Sequence, residues 1–376
     1  MNSAKQIRST ALLTVLLSLT ASAQVLDVWI GTRHRTSKGI YHTTLNEKNG
    51  RLGAVTVAAE IAGPGFLAMH PDRKTLYAVG ALDNKPCVAA YRISGKKGSQ
   101  KLTFLNSMDI GDGGAAHVAV DKRGKTLITA QYGGGSVAVF ALNTDGSVRA
   151  RTQLIEHEGA SMANERRQKA PHPHWTGFSP DDRFAFIPDL GLDKVVVYSV
   201  ENGKLSPAGS ATLHSGAGPR HMKFHTSGKY AYVLNELDLT VTAFNYNKAN
   251  ASMKPFQKIA AVPAAELEKE KSKSASEIRV HPSGKFVYSA NRGHDTITAY
   301  RVDQRSGKLE VVEREFVRGA TPRNFNLDPS GKWMIAAGQN SFTLAAFEVD
   351  QQTGELAYNG SVVNCPGPIC VLFTHE

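Results

Sequence analysis

The chain is expected to fold as an all-β, seven-bladed β-propeller, with one blade closed by its N-terminal and C-terminal strands together. Three observations lead there. The first is repetition: "FLAMHPDRKTLYAVGA", "HVAVDKRGKTLITAQY", "WTGFSPDDRFAFIPDL", "HMKFHTSGKYAYVLNE", "IRVHPSGKFVYSANR" and "FNLDPSGKWMIAAGQ" follow one pattern. Each is a short apolar strand, a tight turn of the Pro-x-Gly-Lys kind and a second apolar strand, recurring roughly every 50 residues. The second is what comes next, a third strand such as "SVAVFAL", "KVVVYSV", "TVTAFNY" or "TITAYRV", often with a fourth after a Gly turn. Four short strands per repeat is the signature of a propeller blade. The third is the fit of the two ends. "VWIGTRHRTSKGIYHTTLNEKNGRL" aligns with "VYSANRGHDTITAYRVDQRSGKL", setting Trp29 on Tyr288, Arg33 on Arg292 and Tyr41 on Tyr300. The N-terminus therefore starts at the second strand of a blade, and the apolar "PICVLF" near the C-terminus supplies the missing first strand. Such closure removes the open sheet edges that invite aggregation.

Taken in order, the chain begins with a leader. Lys5 and Arg8 supply positive charge, "TALLTVLLSLTA" an apolar core, and "ASA" a small-residue cleavage site before Gln24. Residues 1–23 thus have the three-part layout of a secretory signal peptide, with an apolar run too short to favour a membrane span. Residues 24–376 are expected to form one propeller domain, secreted or periplasmic, with no membrane association after leader removal. The formal net charge of +11 suits an anionic partner. Nucleic acid is disfavoured by the leader and by the lack of a long basic helix or an aromatic-basic module. Cys365 and Cys370 bracket "PGPI" and could bridge in an oxidising compartment, leaving Cys87 as the odd thiol. Cys and His ligands at zinc spacing are absent, and no metal or organic cofactor is expected. "YGGGS" at 132–136 joins strand to strand and is a turn, not a phosphate loop. The segment 264–277 reads as a solvated insertion able to form a short helix.

Blade geometry then sorts the loops. The Pro-x-Gly-Lys turns lie on one face, the bottom. The residues leading into the first strand and out of the second lie on the other. The lead-in positions are Gly65, Ala116, His174, Arg220, Ser276 and Arg323. The lead-out pairs are Gly80-Ala81, Gln131-Tyr132, Asp189-Leu190, Asn235-Glu236, Asn291-Arg292 and Gly338-Gln339. The bottom turns are repetitive, whereas the top positions differ from one another and are functional in type. "KAPHPHWTGFSP" places two histidines, each preceded by proline, on this top face. Proline lacks a backbone donor, so the stretch is neither helix interior nor paired strand interior.

In this frame "APHPH…PDLGLDKVVVY", "GPRH…NELD", "SANRGHD", "TPRNF" and "IGT…SKGIY" resemble the lactonase family of seven-bladed propellers. That family includes the propeller-type 6-phosphogluconolactonases and the fungal carboxy-cis,cis-muconate cyclases. The resemblance spans essentially the whole chain after the leader. Similarity to the cyclases implies that His172, Arg220, Glu236 and Arg292 are catalytic. His174, His221, Asn235, Asn291 and Arg323 are the candidate substrate-binding groups, and Asp189 is assigned to hydrogen bonding between blades. Histidine titrates near neutrality and suits acid–base work. Converging guanidinium groups suit a carboxylate, a phosphate or the oxyanion formed when water attacks a lactone carbonyl. The resemblance implies an exported, 6-phosphogluconolactonase-like enzyme that hydrolyses or forms an anionic sugar-acid or carboxylated lactone. Its partner would be that lactone or its acid, and a monomer is expected. Two alternatives stay open: a non-catalytic propeller binding a ligand or protein on the same face, and a muconate-type cycloisomerase.

Overall fold

The computed structural model describes residues 25–374, so the leader expected at 1–23 lies outside the described residues. Seven four-stranded antiparallel sheets make up the described residues. Blade one takes Val25–Thr32 as its second strand and Gly39–Asn46 and Thr56–Glu60 as its outer strands. Its innermost strand is Pro368–Phe373, from the other end of the chain, with Trp29 opposite Leu372. Trp29 Nε1 also donates to Thr374 Oγ1 at 2.9 Å, tying the closure from within. Blades two to seven follow in sequence, with innermost strands Ala62–Met69, Ala115–Val120, Gly177–Phe178, Pro219–Phe224, Ser274–Val280 and Pro322–Leu327.

The core is layered between neighbouring blades. One apolar cluster joins Trp175, Phe186, Val195 and Val197 of blade four to Met222, Val233 and Phe244 of blade five. Others join blades five and six through Leu234, Val241, Val287 and Tyr300, and blades seven and one through Ile335, Leu344, Val28 and Ile30. Strand alternation sends one set of side chains into each layer. The two C-terminal cysteines fall in different layers. Cys365 packs in the layer between blades seven and one, and Cys370 in the layer that joins blade one to blade two. The disulfide considered from the sequence is not made; Cys87, Cys365 and Cys370 are buried thiols.

The bottom turns owe their shape to one residue in the left-handed region. Gly124, Gly228, Gly284 and Gly331 occupy it with φ between 64° and 74°. Arg73 and Asp182 hold the slot in blades two and four, at the steric cost of a Cβ there. The insertion at 264–277 forms a single helical turn, Ala264–Leu267, and then enters the inner strand of blade six.

Candidate active site

A cavity of about 840 Å³ opens where the inner strands begin, on the face opposite the Pro-x-Gly-Lys turns. Its lining includes the lead-in residues Gly65, Ala116, His174, Arg220 and Arg323, and the lead-out residues Gly80, Ala81, Tyr132, Glu236 and Arg292. A recurring bulge explains how these side chains reach it. In blade five Pro219 pairs with Asn235 and His221 with Leu234, so Arg220 has no partner. Ala116 and Arg323 are skipped in the same way in blades three and seven. In blade six the ladder jumps from Ala275 to Ile278, skipping Ser276 and Glu277. A bulge re-aims its extra residue, and here it lets consecutive residues such as Arg220 and His221 both face the cavity.

Glu236 is the centre of the charge arrangement. Its Oε2 accepts from Arg220 Nη1 at 2.5 Å; its Oε1 accepts from Arg167 Nη2 at 2.9 Å and lies 3.1 Å from Arg292 Nη2. Burial pushes this carboxyl upward, but Arg220, Arg292, His174 and Arg167 outweigh it and hold it well below the usual carboxylate range. Arg220 Nε donates to the Ser276 carbonyl at 2.7 Å and Arg292 Nη2 to that of Ala275 at 2.8 Å, so the inner strand of blade six fixes both guanidinium groups. Arg220 also donates to His174 Nε2. The proton of neutral His174 is therefore on Nδ1. Burial, then Arg220 and His221, hold His174 well below the ordinary histidine range, and it stays neutral.

Arg33 and Arg323 complete the lining cations. Their guanidinium groups have no carboxylate partner among the described residues, whereas Glu236 is the one acidic residue among the described lining. Burial, with Arg220 and Arg292 nearby, pushes Arg323 well down from the arginine range. Burial and Arg220 likewise lower Arg292 to about 10. An anion seated between these groups would relieve that crowding.

Not every expected residue joins the cluster. His172 stands beside it rather than in it. Its ring stacks on Tyr132 at 4.5 Å between centroids, its Nδ1 donates to the Tyr132 carbonyl at 2.8 Å, and it is not among the lining residues. Asp189 accepts from the backbone of His172 and Gly191 through Oδ1 and contacts His157, from the end of blade three, through Oδ2. It thus fixes the Pro-His-Pro-His segment so that His174, not His172, meets Arg220. Asn235 and Asn291 turn into their own sheets, where Nδ2 of each bonds two threonines: Thr240 and Thr242, or Thr296 and Thr298. They hold the strand ends that carry Glu236 and Arg292. His221 does line the cavity, and its Nδ1 lies 3.0 Å from Glu277 Oε1.

Two lining cations carried no sequence expectation. Arg167 comes from the long crossover between blades three and four, where Gln168 and Ser161 anchor the loop to Asp193. It bonds both Glu236 and the Tyr132 hydroxyl, the latter at 2.8 Å. Arg33 is the counterpart of Arg292 in the end-to-end alignment, and that correspondence was the signal for it.

Comparison with known proteins places the fold in a family. The family model described as "Lactonase, 7-bladed beta-propeller" matches residues 27–373. A 6-phosphogluconolactonase of Bacillus subtilis is 37% identical over 340 residues, covering 90% of this chain and 95% of the relative. A 6-phosphogluconolactonase of Formosa agariphila is 31% identical over 303 residues, 78% of this chain and 83% of that protein. Among solved structures, a periplasmic gluconolactonase of Pseudomonas aeruginosa superposes with a TM-score of 0.85 at 28% identity, covering 93% of this chain and 99% of that one.

Proposed function

The chain belongs to the lactonase family of seven-bladed β-propellers, and from that premise we propose that it hydrolyses the ring ester of a small anionic lactone, of the sugar-acid or carboxylated kind. The observation that carries this reading is the convergence of Arg33, Arg167, Arg220, Arg292 and Arg323 around the single carboxylate of Glu236. Glu236 neutralises part of that charge and spaces the guanidinium groups. What remains is a positive wall inside a partly enclosed, low-dielectric cavity, where such groups act more strongly than in water. Arg323 and Arg33 receive the substrate's own anionic group. Arg220 and Arg292, fixed by carbonyls of blade six, face the lactone carbonyl and stabilise the oxyanion as water adds. His174 keeps Arg220 in position and offers its Nδ1 proton to the bound ring, while His172 and Tyr132 shape the rim.

The same reading includes export. Its support is the leader layout of residues 1–23 and the likeness to a protein named as a periplasmic gluconolactonase. An exported enzyme meets unphosphorylated sugar lactones more readily than sugar phosphates, so both belong in the test. Hydrolysis should be measured for glucono-δ-lactone, its 6-phospho form and carboxylated lactones, with the N-terminus of the mature protein sequenced alongside. Turnover of at least one anionic lactone, and a mature N-terminus at Gln24, are expected. No hydrolysis of any lactone would leave a non-catalytic binding propeller in its place.

A further inference from the structure

Hydrolysis requires a group to take a proton from the attacking water, and the obvious candidates are occupied. Both oxygens of Glu236 are engaged by arginines, which leaves neither free to take a proton from water. The His174 lone pair on Nε2 already accepts from Arg220. His172 lies against Tyr132, outside the lining. One cavity-lining imidazole is left. His221 is 2% exposed, and its Nδ1 is 3.0 Å from Glu277 Oε1. An ionised carboxylate only accepts, so the proton sits on Nδ1 and the lone pair on Nε2. That Nε2 is buried and has no hydrogen-bond partner among the described residues. The His221 and His174 rings meet edge-on, 5.3 Å between centroids, and both line the cavity that holds Arg220 and Glu236.

We propose that His221 is the general base of the reaction and that Glu277 is its positioning residue. The inference rests on the lactone-hydrolysis reading above. Glu277 is fully buried, and the skipped position in the blade-six strand turns it inward. Its Oε1 also accepts from the Ile278 backbone at 2.9 Å, and its Oε2 from Asn324 Nδ2 at 2.5 Å. Asn324 Oδ1 in turn accepts from the Val371 backbone at 2.8 Å, so the closing strand braces the pair. A buried carboxylate held this firmly fixes one tautomer and one orientation of the imidazole. As water adds to the lactone carbonyl carbon, one of its protons passes to His221 Nε2. Arg220 and Arg292 hold the resulting oxyanion. When the ester C–O bond breaks, the ring oxygen leaves with that proton as a hydroxyl, and the acid product and a neutral imidazole remain. Burial lowers His221 to about 4 although Glu277 pulls the other way, so the base form prevails at neutral pH.

The test uses the full chain with glucono-δ-lactone and its 6-phospho form as probes. His221→Asn should lower kcat by about 10²–10⁴-fold with little change in KM. Added imidazole should restore part of the activity of His221→Ala. Glu277→Gln removes the anion that raises His221, so the acid limb of kcat/KM should move to lower pH while kcat falls. The other charged or titratable groups facing His221, namely Arg220, Lys223, Arg279, His174 and His117, are unchanged in that variant. A merely structural pair would lower the melting temperature and leave the acid limb where it was. Wild-type kcat in folded His221→Asn, or an unmoved acid limb in Glu277→Gln, overturns the inference while lactone hydrolysis stands. A wild-type protein that hydrolyses neither probe nor any carboxylated lactone overturns both. If His221→Asn does not fold, imidazole rescue of His221→Ala and the Glu277→Gln profile decide the matter.

Discussion

Glu236 keeps three guanidinium groups within reach of one another, and its own basicity is given up in doing so. That division of labour separates two kinds of variant. If Arg220 donates to the developing oxyanion as proposed, kcat of Arg220→Ala should fall by about 10²–10³-fold. On the proposed reading Arg323 meets only the ground-state anion, so in Arg323→Ala KM for a charged lactone should rise while kcat holds, and a neutral lactone should show little change. Steady-state kinetics on one charged and one neutral substrate check both; equal effects on the two substrates would argue against an anion subsite at Arg323. The two neighbouring histidines should also part company. His174→Ala frees Arg220 and should cost activity clearly more than His172→Ala, which loosens a stack on Tyr132. Arg220, Glu236 and Arg292 were legible because each sits at a fixed offset from a recognisable turn. The exchange between His172 and His174 was not. It depends on contacts that leave no pattern in the sequence: His172 stacks on Tyr132 and donates to its carbonyl, while His174 accepts from Arg220. Glu277 was hidden by a bulge: a regular strand would point either it or Ser276 away, and the bulge skips both.

At the level of strands, the repeated sequence carries repeated joints between blades. Tyr77, Tyr232 and Tyr288 occupy the same place in their second strands, and each hydroxyl donates to a glycine carbonyl of the next blade: Gly146, Gly307 and Gly354. His70, His225 and His281, at the ends of inner strands, reach the next bottom turn at the carbonyls of Gly124, Gly284 and Gly331. Farther out, Asn106, Gln153 and Gln257 each bond both the N–H and the C=O of one residue in the adjacent blade. Removing a tyrosine hydroxyl strands a buried carbonyl, a loss of about 1–3 kcal/mol. Tyr232→Phe and Tyr288→Phe should each lower stability to denaturant by that order, and Tyr358→Phe, on an outer strand, should not. If all three behave alike, the joints are not what binds the blades. The fold itself was readable because strand, turn and strand recur with little variation, so each unit vouches for the others. The crossover at 157–170 has no such counterpart, and Arg167 went unseen with it.

Across the whole molecule, the buried ionisable groups of the channel set how stability answers to pH. Burial holds His117, His174 and His221 below the ordinary histidine range, His221 at about 4. Unfolded, each would take up a proton near pH 6.5. Between those limits the unfolded chain binds more protons, so stability rises with pH and is lost as pH falls from about 6.5 toward 4. Glu236 and Glu277, both depressed because arginines and histidines outweigh the effect of burial, add to the loss below about pH 4.3. Melting temperatures should be flat above about pH 7 and fall steadily below 6.5; a flat profile from 7 to 4.5 would contradict neutral buried imidazoles. Ring closure supplies the second test at this scale. Pro368–Phe373 is buried throughout, pairs with Val25–Thr32, and receives hydrogen bonds from Asn326 while donating to Asn324 of blade seven. Deleting residues 365–376 would open the apolar second strand of blade one to solvent and withdraw the brace on Glu277. An unpaired, apolar edge is a template for another chain. The truncated protein should aggregate or unfold without cooperativity, and a synthetic peptide spanning 365–376, added in trans, should recover part of the soluble fraction. A truncation as soluble and as cooperative as the full chain would show that the ring does not depend on joining its two ends.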